Sequence, residues 1–224
     1  MTEENDSPRF IIPEFRWNTL SAPAKNDISG YLGLDEAKSA YYFDIYFSRF
    51  HILHKIGHII LHLFDAECGA KPGRTEYLAN LFAYKYLQEK QETEYLEVLT
   101  KSFSLLTANR VDSPPLQKES IDDYFSGMQT SLHSYITAHG LILLDCMNNP
   151  LSLKEILERI SARRLSVLNS SVVLQKKLEG EHLIQECLFY VFEMNNVNIG
   201  IDYREKSDLD RESLDHAMME LQHA

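Results

Sequence analysis

One apolar segment, residues 51–62, carries four of the nine histidines and constrains the fold more than any other feature of the chain. It reads His-Ile-Leu-His-Lys-Ile-Gly-His-Ile-Ile-Leu-His. In an α-helix, which turns by about 100° per residue, His51, His58 and His62 fall within about 80° of His54. The remaining positions are mainly Ile and Leu. The segment therefore predicts a buried helix with imidazoles along one line of its surface.

The pair His54 and His58 has the spacing at which two imidazoles on one helical turn bind a single zinc ion. In the peptidase form of this motif, a glutamate directly after the first histidine serves as the general base. Here that position is Lys55, whose ammonium group accepts no proton and repels a nearby dication. The segment therefore predicts a metal site that lacks the group expected to do the chemistry.

A second segment, residues 75–87, completes a more specific pattern. The two segments together resemble the ImmA/IrrE metallopeptidases, which read R-F-x-x-x-H-E-x-G-H-x-x-x-H and then, after a loop, E-x-x-A-N-x-F-A. The resemblance covers residues 47–88, well under half of the chain. The matching positions are Arg49, Phe50, His54, Gly57, His58, His62, Glu76, Ala79, Asn80, Phe82 and Ala83.

The resemblance implies that His54, His58 and Glu76 are three zinc ligands, which leave one coordination position open. A metal held in this way keeps net positive charge, so it polarises a carbonyl or makes a bound water acidic. The resemblance also implies that His62 and Asn80 support the ligands from outside the coordination sphere, although His62 can equally be a polar residue at a helix end. Because Lys55 occupies the base position, we expect a zinc-binding, metallopeptidase-like protein with impaired proteolysis.

Members of this family often act on the repressors and stress regulators of phages and mobile elements. The resemblance therefore implies a protein or peptide partner, such as a transcriptional regulator, in bacterial or phage regulation. Two alternatives remain open. The first is a metal-free helical interaction module whose histidines are structural, and the second is an active metallopeptidase with an unconventional base.

The composition disfavours several other classes of protein. A net charge of -11 disfavours unaided binding to nucleic acids, because the phosphate backbone requires Lys and Arg. Residues 41–64 are about as long and apolar as a membrane span, but their charged side chains and histidines predict a buried helix instead. A polar N-terminus and widely spaced cysteines predict a cytoplasmic protein without a secretory signal. The cysteines are Cys68, Cys146 and Cys187.

The remaining patterns predict a mainly helical α+β protein. A zincin-like core is expected over residues 1–110 and a mainly helical extension over residues 111–224, although the two can pack as one domain. No phosphate-binding loop or nucleophile elbow is present. His133 and His139 have no partner at a ligand spacing, so a surface or core position is their default expectation.

Local signals place several element ends. Asp35 is expected to cap a helix that either continues into the histidine segment or breaks near Ser48. Ser152 and Glu155 have the spacing of a capping box, followed by an apolar stripe. Short strands are predicted at residues 9–12, 172–174 and 197–201.

Overall fold

The computed structural model describes residues 9–12, 15–63, 72–108, 132–161, 171–175, 187 and 200–204, which are mostly helical. Within these ranges the helices are α1 (Ala22–Leu32), α2 (Glu36–Ile45), α3 (His51–Leu63), α4 (Pro72–Glu89), α5 (Thr93–Ala108), α6 (Leu132–Asn148) and α7 (Leu153–Ser161). A 3₁₀ turn, Trp17–Thr19, precedes α1, and a π-helical turn, Tyr46–Phe50, joins α2 to α3. None of these helices is both long and apolar enough to cross a membrane.

Two helix starts confirm their predicted caps. The Asp35 side chain accepts a hydrogen bond of 2.9 Å from the backbone N–H of Lys38 at the start of α2. At α7 the bonds are reciprocal, because the Ser152 N–H donates to Glu155 at 2.8 Å and the Glu155 N–H donates to the Ser152 hydroxyl at 3.3 Å. The predicted apolar stripe of α7 is buried, with its four members Leu153, Ile156, Leu157 and Ile160.

The helix continues from α2 into α3 without a break, so the first of the two predicted alternatives is correct. The Tyr95 hydroxyl is inserted at the π-helical turn, where it donates to the Ile45 carbonyl at 2.6 Å and accepts from the Phe50 N–H at 3.0 Å. A side chain inserted into the backbone ladder widens the turn locally. Arg49 adds two hydrogen bonds to Glu92, at 2.9 and 3.0 Å. The start of α3 is therefore anchored to the start of α5.

Backbone packs directly against backbone where α3 meets α4. A Cβ atom placed on Gly57 would lie 2.9 Å from both Cα and the carbonyl oxygen of Ala79, a distance that real side chains do not tolerate. Only glycine therefore permits this crossing. The contact holds the histidine face of α3 close to the first turns of α4.

The second helix of the motif begins earlier than expected. The second segment of the motif was identified from residue 75 onward, but α4 already starts at Pro72. Proline suits the first helical position because its fixed φ matches the helix and its missing N–H would have no partner there. The earlier start places Glu76 in the second turn of α4.

One hydrophobic core connects the helices on both sides of the predicted domain boundary. Helix α6 packs against α4 and α5, and α7 packs against α4. The largest fully buried side chains include Phe50 of the π-helical turn, Leu53 of α3, Phe82 and Tyr86 of α4, and Leu99 of α5. The predicted boundary between residues 110 and 111 lies outside the described residues.

The described strands form a small parallel sheet in the order β1 (Arg9–Ile11), β2 (Ser171–Gln175), β3 (Gly200–Arg204). Arg9 pairs with Ser171, and Ser171 pairs with Gly200. The strand predicted at residues 9–12 and that at 172–174 are present. Of the third, predicted at residues 197–201, residues 200 and 201 lie in β3, and residues 197–199 lie outside the described residues.

Candidate metal centre

The three predicted ligands meet between α3 and α4. Glu76 Oε2 lies 3.2 Å from His54 Nε2 and 3.4 Å from His58 Nε2, and the two imidazole nitrogens are 3.1 Å apart. In a tetrahedral zinc site with bonds of about 2.0–2.1 Å, neighbouring ligand atoms are about 3.3–3.4 Å apart. The three separations therefore match the edges of a zinc coordination tetrahedron.

The contacts of Glu76 Oε2 within this cluster are close without being hydrogen bonds. Glu76 Oε2 is buried and has no hydrogen-bond partner among the described residues, although two imidazoles lie within 3.4 Å. Leaving such an oxygen unsatisfied costs free energy, and the contact of 3.1 Å between His54 and His58 is a hydrogen bond only when one of the two nitrogens carries a proton. A cation bound by all three atoms would satisfy their lone pairs at once.

The protonation states also suit a cation. Burial lowers the pKa of His54 to about 3, so this ring is neutral at pH 7. Burial alone would raise the pKa of Glu76, but the close approach of His58 and His54 outweighs it and holds this pKa well below its usual range. Neutral imidazole and ionised carboxylate are the forms that bind a metal.

A fourth residue, His139 of α6, enters the same space and was missed by the sequence reasoning. Its side chain is 3% exposed, and its Nε2 lies 3.5 Å from Glu76 Oε2. His54, Glu76 and His139 each offer one ligand atom, and these atoms all lie within 4.8 Å of one another. Of the two default expectations, a surface or a core position, the core position is confirmed, but His139 is not isolated from the other residues of the cluster. A signal was present, because His139 is a lone polar residue in the apolar run 138–144 and is followed by a glycine.

The residues predicted to support the ligands have different positions. The Asn80 side-chain nitrogen donates to the Glu76 carbonyl at 2.8 Å and lies 3.4 Å from His139 Nδ1, so Asn80 connects α4 with α6. His62 is half-buried one turn beyond His58, and its supporting role stays a prediction. Lys55 is half-buried, directly after His54.

His51 shares the histidine face of α3 but lies outside the cluster. Its ring packs against Phe47, Phe15 and Tyr46, with centroid distances of 4.9, 5.6 and 5.8 Å. Burial and the positive charge of Lys55 lower its pKa well below the usual range. An aromatic pocket of this kind fits a neutral core histidine rather than a ligand.

Chemically, the cluster can hold a divalent cation with two imidazoles and a carboxylate, with further imidazole and amide groups behind them. Zinc, whose ligands in proteins are typically nitrogen, sulfur and carboxylate oxygen, fits this donor set. No family model matches the chain, and no curated protein or solved structure shows significant similarity to it.

Proposed function

We propose that this chain is a zinc-binding, metallopeptidase-like protein with impaired proteolysis, which acts by binding a regulatory protein partner. The observation that carries the proposal is the convergence of His54, His58 and Glu76 at separations of 3.1, 3.2 and 3.4 Å. A pair of histidines at i and i+4 can arise by chance. A carboxylate from a second helix at tetrahedral distance from both is a much more specific arrangement.

The proposal includes the ImmA/IrrE resemblance and the fold that it implies. That fold is an α+β, zincin-like core over residues 1–110 with a mainly helical extension over 111–224. Support comes from the position of the motif, since the helix with the two histidines packs directly on the helix with the glutamate. The Gly57–Ala79 crossing gives both motif positions a steric reason.

The identity of residue 55 supports the loss of proteolysis. When bound, zinc supplies a Lewis acid that polarises a substrate carbonyl. Peptide cleavage also needs a group that accepts a proton and later donates it to the leaving amine. Lys55 stands at that position, and its ammonium group accepts no proton. Binding without cleavage is the expected result.

The exposure of the site suits a protein partner. The His58 and Glu76 side chains are 22% and 17% exposed, whereas that of His54 is 1% exposed. One side of the cluster therefore faces solvent, where a metal can enter and a partner's side chain can approach. By resemblance, the protein is cytoplasmic and its partner is a transcriptional regulator in bacterial or phage regulation.

Metal analysis of untagged protein tests the proposal. We expect stoichiometric zinc, an increase in Tm when zinc is added to the metal-free protein, and loss of both in His58→Ala. Peptide cleavage should be undetectable. Absence of zinc binding would favour the metal-free interaction module, and cleavage that disappears in His58→Ala would favour an active enzyme with an unconventional base.

Two variants of residue 55 separate the missing base from other defects. Lys55→Glu and Lys55→Gln both remove the positive charge, but only glutamate can accept a proton. We expect both variants to keep zinc. Cleavage by Lys55→Glu alone would show that the base is the only missing part of the catalytic machinery.

A further inference from the structure

The orientation of the Asn80 amide is determined by the backbone of its own helix. Its side-chain nitrogen lies 2.8 Å from the carbonyl oxygen of Glu76. A carbonyl oxygen only accepts hydrogen bonds, so the amide must present its NH₂ group and not its oxygen at this point. The alternative orientation would place two acceptor oxygens about 2.8 Å apart, where they repel each other.

This orientation determines which nitrogen of His139 carries a proton. The same NH₂ group lies 3.4 Å from His139 Nδ1. An amide nitrogen has no lone pair to offer, so Nδ1 must be the unprotonated acceptor of the neutral ring. The proton of His139 is therefore on Nε2, the atom that lies 3.5 Å from the Glu76 carboxylate.

We propose that His139 is a positioning residue that donates its Nε2–H to the Glu76 carboxylate and holds it towards the metal. A protonated ring nitrogen cannot bind a metal, so His139 is not a fourth ligand, and the protein provides only His54, His58 and Glu76. At 3.5 Å the pair is about 0.3 Å beyond hydrogen-bond length, so a small movement completes the bond. The inference rests on the proposed zinc site.

The burial of His139 makes this role effective. The ring is 3% exposed, so water does not compete for the carboxylate from this side. Groups that orient a metal ligand in this way typically change metal affinity about 10–100-fold when they are removed. Asn80 completes the arrangement, because it touches both the Glu76 backbone and the far side of the His139 ring.

Nuclear magnetic resonance of ¹⁵N-labelled protein tests the proton position directly, with and without zinc. Long-range ¹H–¹⁵N spectra show which ring nitrogen carries the proton. We expect His139 to be protonated at Nε2 in both forms, and His54 and His58 at Nδ1 in the zinc form. A proton on Nδ1 of His139, or a His139 resonance shifted by direct metal binding, would overturn the proposal.

Zinc affinity provides the second test, measured by chelator competition in the full chain. His139→Ala should bind zinc about 10–100-fold more weakly. His139→Gln should stay close to wild type, because its amide oxygen can face Asn80 while its NH₂ donates to Glu76. Asn148→Ala, at an exposed position at the end of the same helix, is the control and should leave zinc affinity unchanged.

The outcomes separate this inference from the proposed function. If wild-type protein binds no zinc, both fail. If wild type binds zinc and His139→Ala binds it equally well, only the positioning role fails. If His139→Gln is as weak as His139→Ala, and cobalt-substituted wild type shows three imidazole ligands, His139 is itself a ligand and the proposal is wrong.

Discussion

Two buried histidines of α3, one helical turn apart, have very different surroundings. His51 lies among Phe15, Tyr46 and Phe47, and its Nε2 has no hydrogen-bond partner among the described residues. His54, by contrast, meets His58 and Glu76 at 3.1 and 3.2 Å. Burial lowers the pKa of both rings.

The comparison shows that burial and helix position do not make a histidine a ligand. Both rings are neutral and both lie on the same face of α3, so either could bind a metal on those grounds alone. The difference comes from the second helix. Glu76 reaches His54 and His58 from α4, whereas aromatic side chains surround His51.

The largest expected effect is on zinc binding, which should depend on the Glu76 carboxylate and not on His51. Glu76→Gln should weaken zinc binding by more than about 100-fold, because a lost ligand costs more than a lost supporting group. His51→Leu should keep full zinc binding and nearly unchanged stability, since an apolar side chain replaces an unsatisfied polar one. Metal content and chelator competition check both variants. Zinc loss in His51→Leu equal to that in Glu76→Gln would contradict the distinction.

The next largest effect is expected from a substitution that increases the distance between α3 and α4. Gly57→Ala places a Cβ atom 2.9 Å from the Ala79 backbone, which should push α3 and α4 apart. We expect the free energy of unfolding to fall by roughly 1–3 kcal/mol and zinc affinity to fall with it. Gly30→Ala in α1 is the matched control, because its Cβ atom would meet nothing within 4 Å. Chemical denaturation with and without zinc measures the free energy of unfolding and the stabilisation by zinc. Equal results for Gly57→Ala and Gly30→Ala would show that the crossing of α3 and α4 does not require glycine.

In metal-free protein, lowering the pH should reduce stability through both His51 and His54. The pKa of His54 is about 3 in the folded chain against an ordinary 6.5, so between these values the unfolded chain binds more protons. Stability is therefore lost as the pH falls below 6.5, by about 2 kcal/mol from His54 alone at pH 5. The lowered pKa of His51 has the same sign, and that of Glu76 adds a loss only below its ordinary 4.5.

Denaturation in EDTA between pH 7 and pH 5 measures this loss. His54→Gln and His51→Leu should each reduce the dependence on pH, although only the first weakens zinc binding. A pH dependence in His54→Gln as steep as that of wild type would contradict the neutral, buried state of this ring.

The proposed ligands could be predicted from the sequence because their geometry is mostly local. The i, i+4 spacing fixes His54 and His58 on one turn, and the resemblance to the ImmA/IrrE pattern pointed to Glu76. His139 could not be placed in this way, since it lies 59 residues beyond Asn80 and reaches the site only through the packing of α6. The proton position on its ring depends on a backbone carbonyl, which no sequence pattern encodes.

The helices were predicted better than their junctions. The Asp35 cap and the Ser152–Glu155 capping box depend on residues three apart, so the sequence identifies them directly. The π-helical turn depends instead on the Tyr95 hydroxyl, which comes from α5 and inserts between Ile45 and Phe50. The choice between a continuous and a broken helix was therefore undecidable from local sequence.

The smallest expected effect concerns this turn, which lies immediately before His51. Tyr95→Phe removes the hydroxyl that bonds the Ile45 carbonyl and the Phe50 N–H, and these two groups can only partly re-pair with each other. We expect the free energy of unfolding to fall by about 1 kcal/mol. Tyr41→Phe is the control, because this ring is 52% exposed and its change should have no effect.

Zinc affinity decides what this last change means. The turn directly contacts the surroundings of His51, whereas the cluster at His54 is held by the Gly57 crossing about one turn farther along α3. Tyr95→Phe should therefore alter stability and leave zinc affinity within about twofold of wild type, which is less than 0.5 kcal/mol. A larger loss of zinc affinity would show that the π-helical turn also sets the positions of His54 and His58. The surroundings of His51 and the proposed metal cluster would then be structurally coupled.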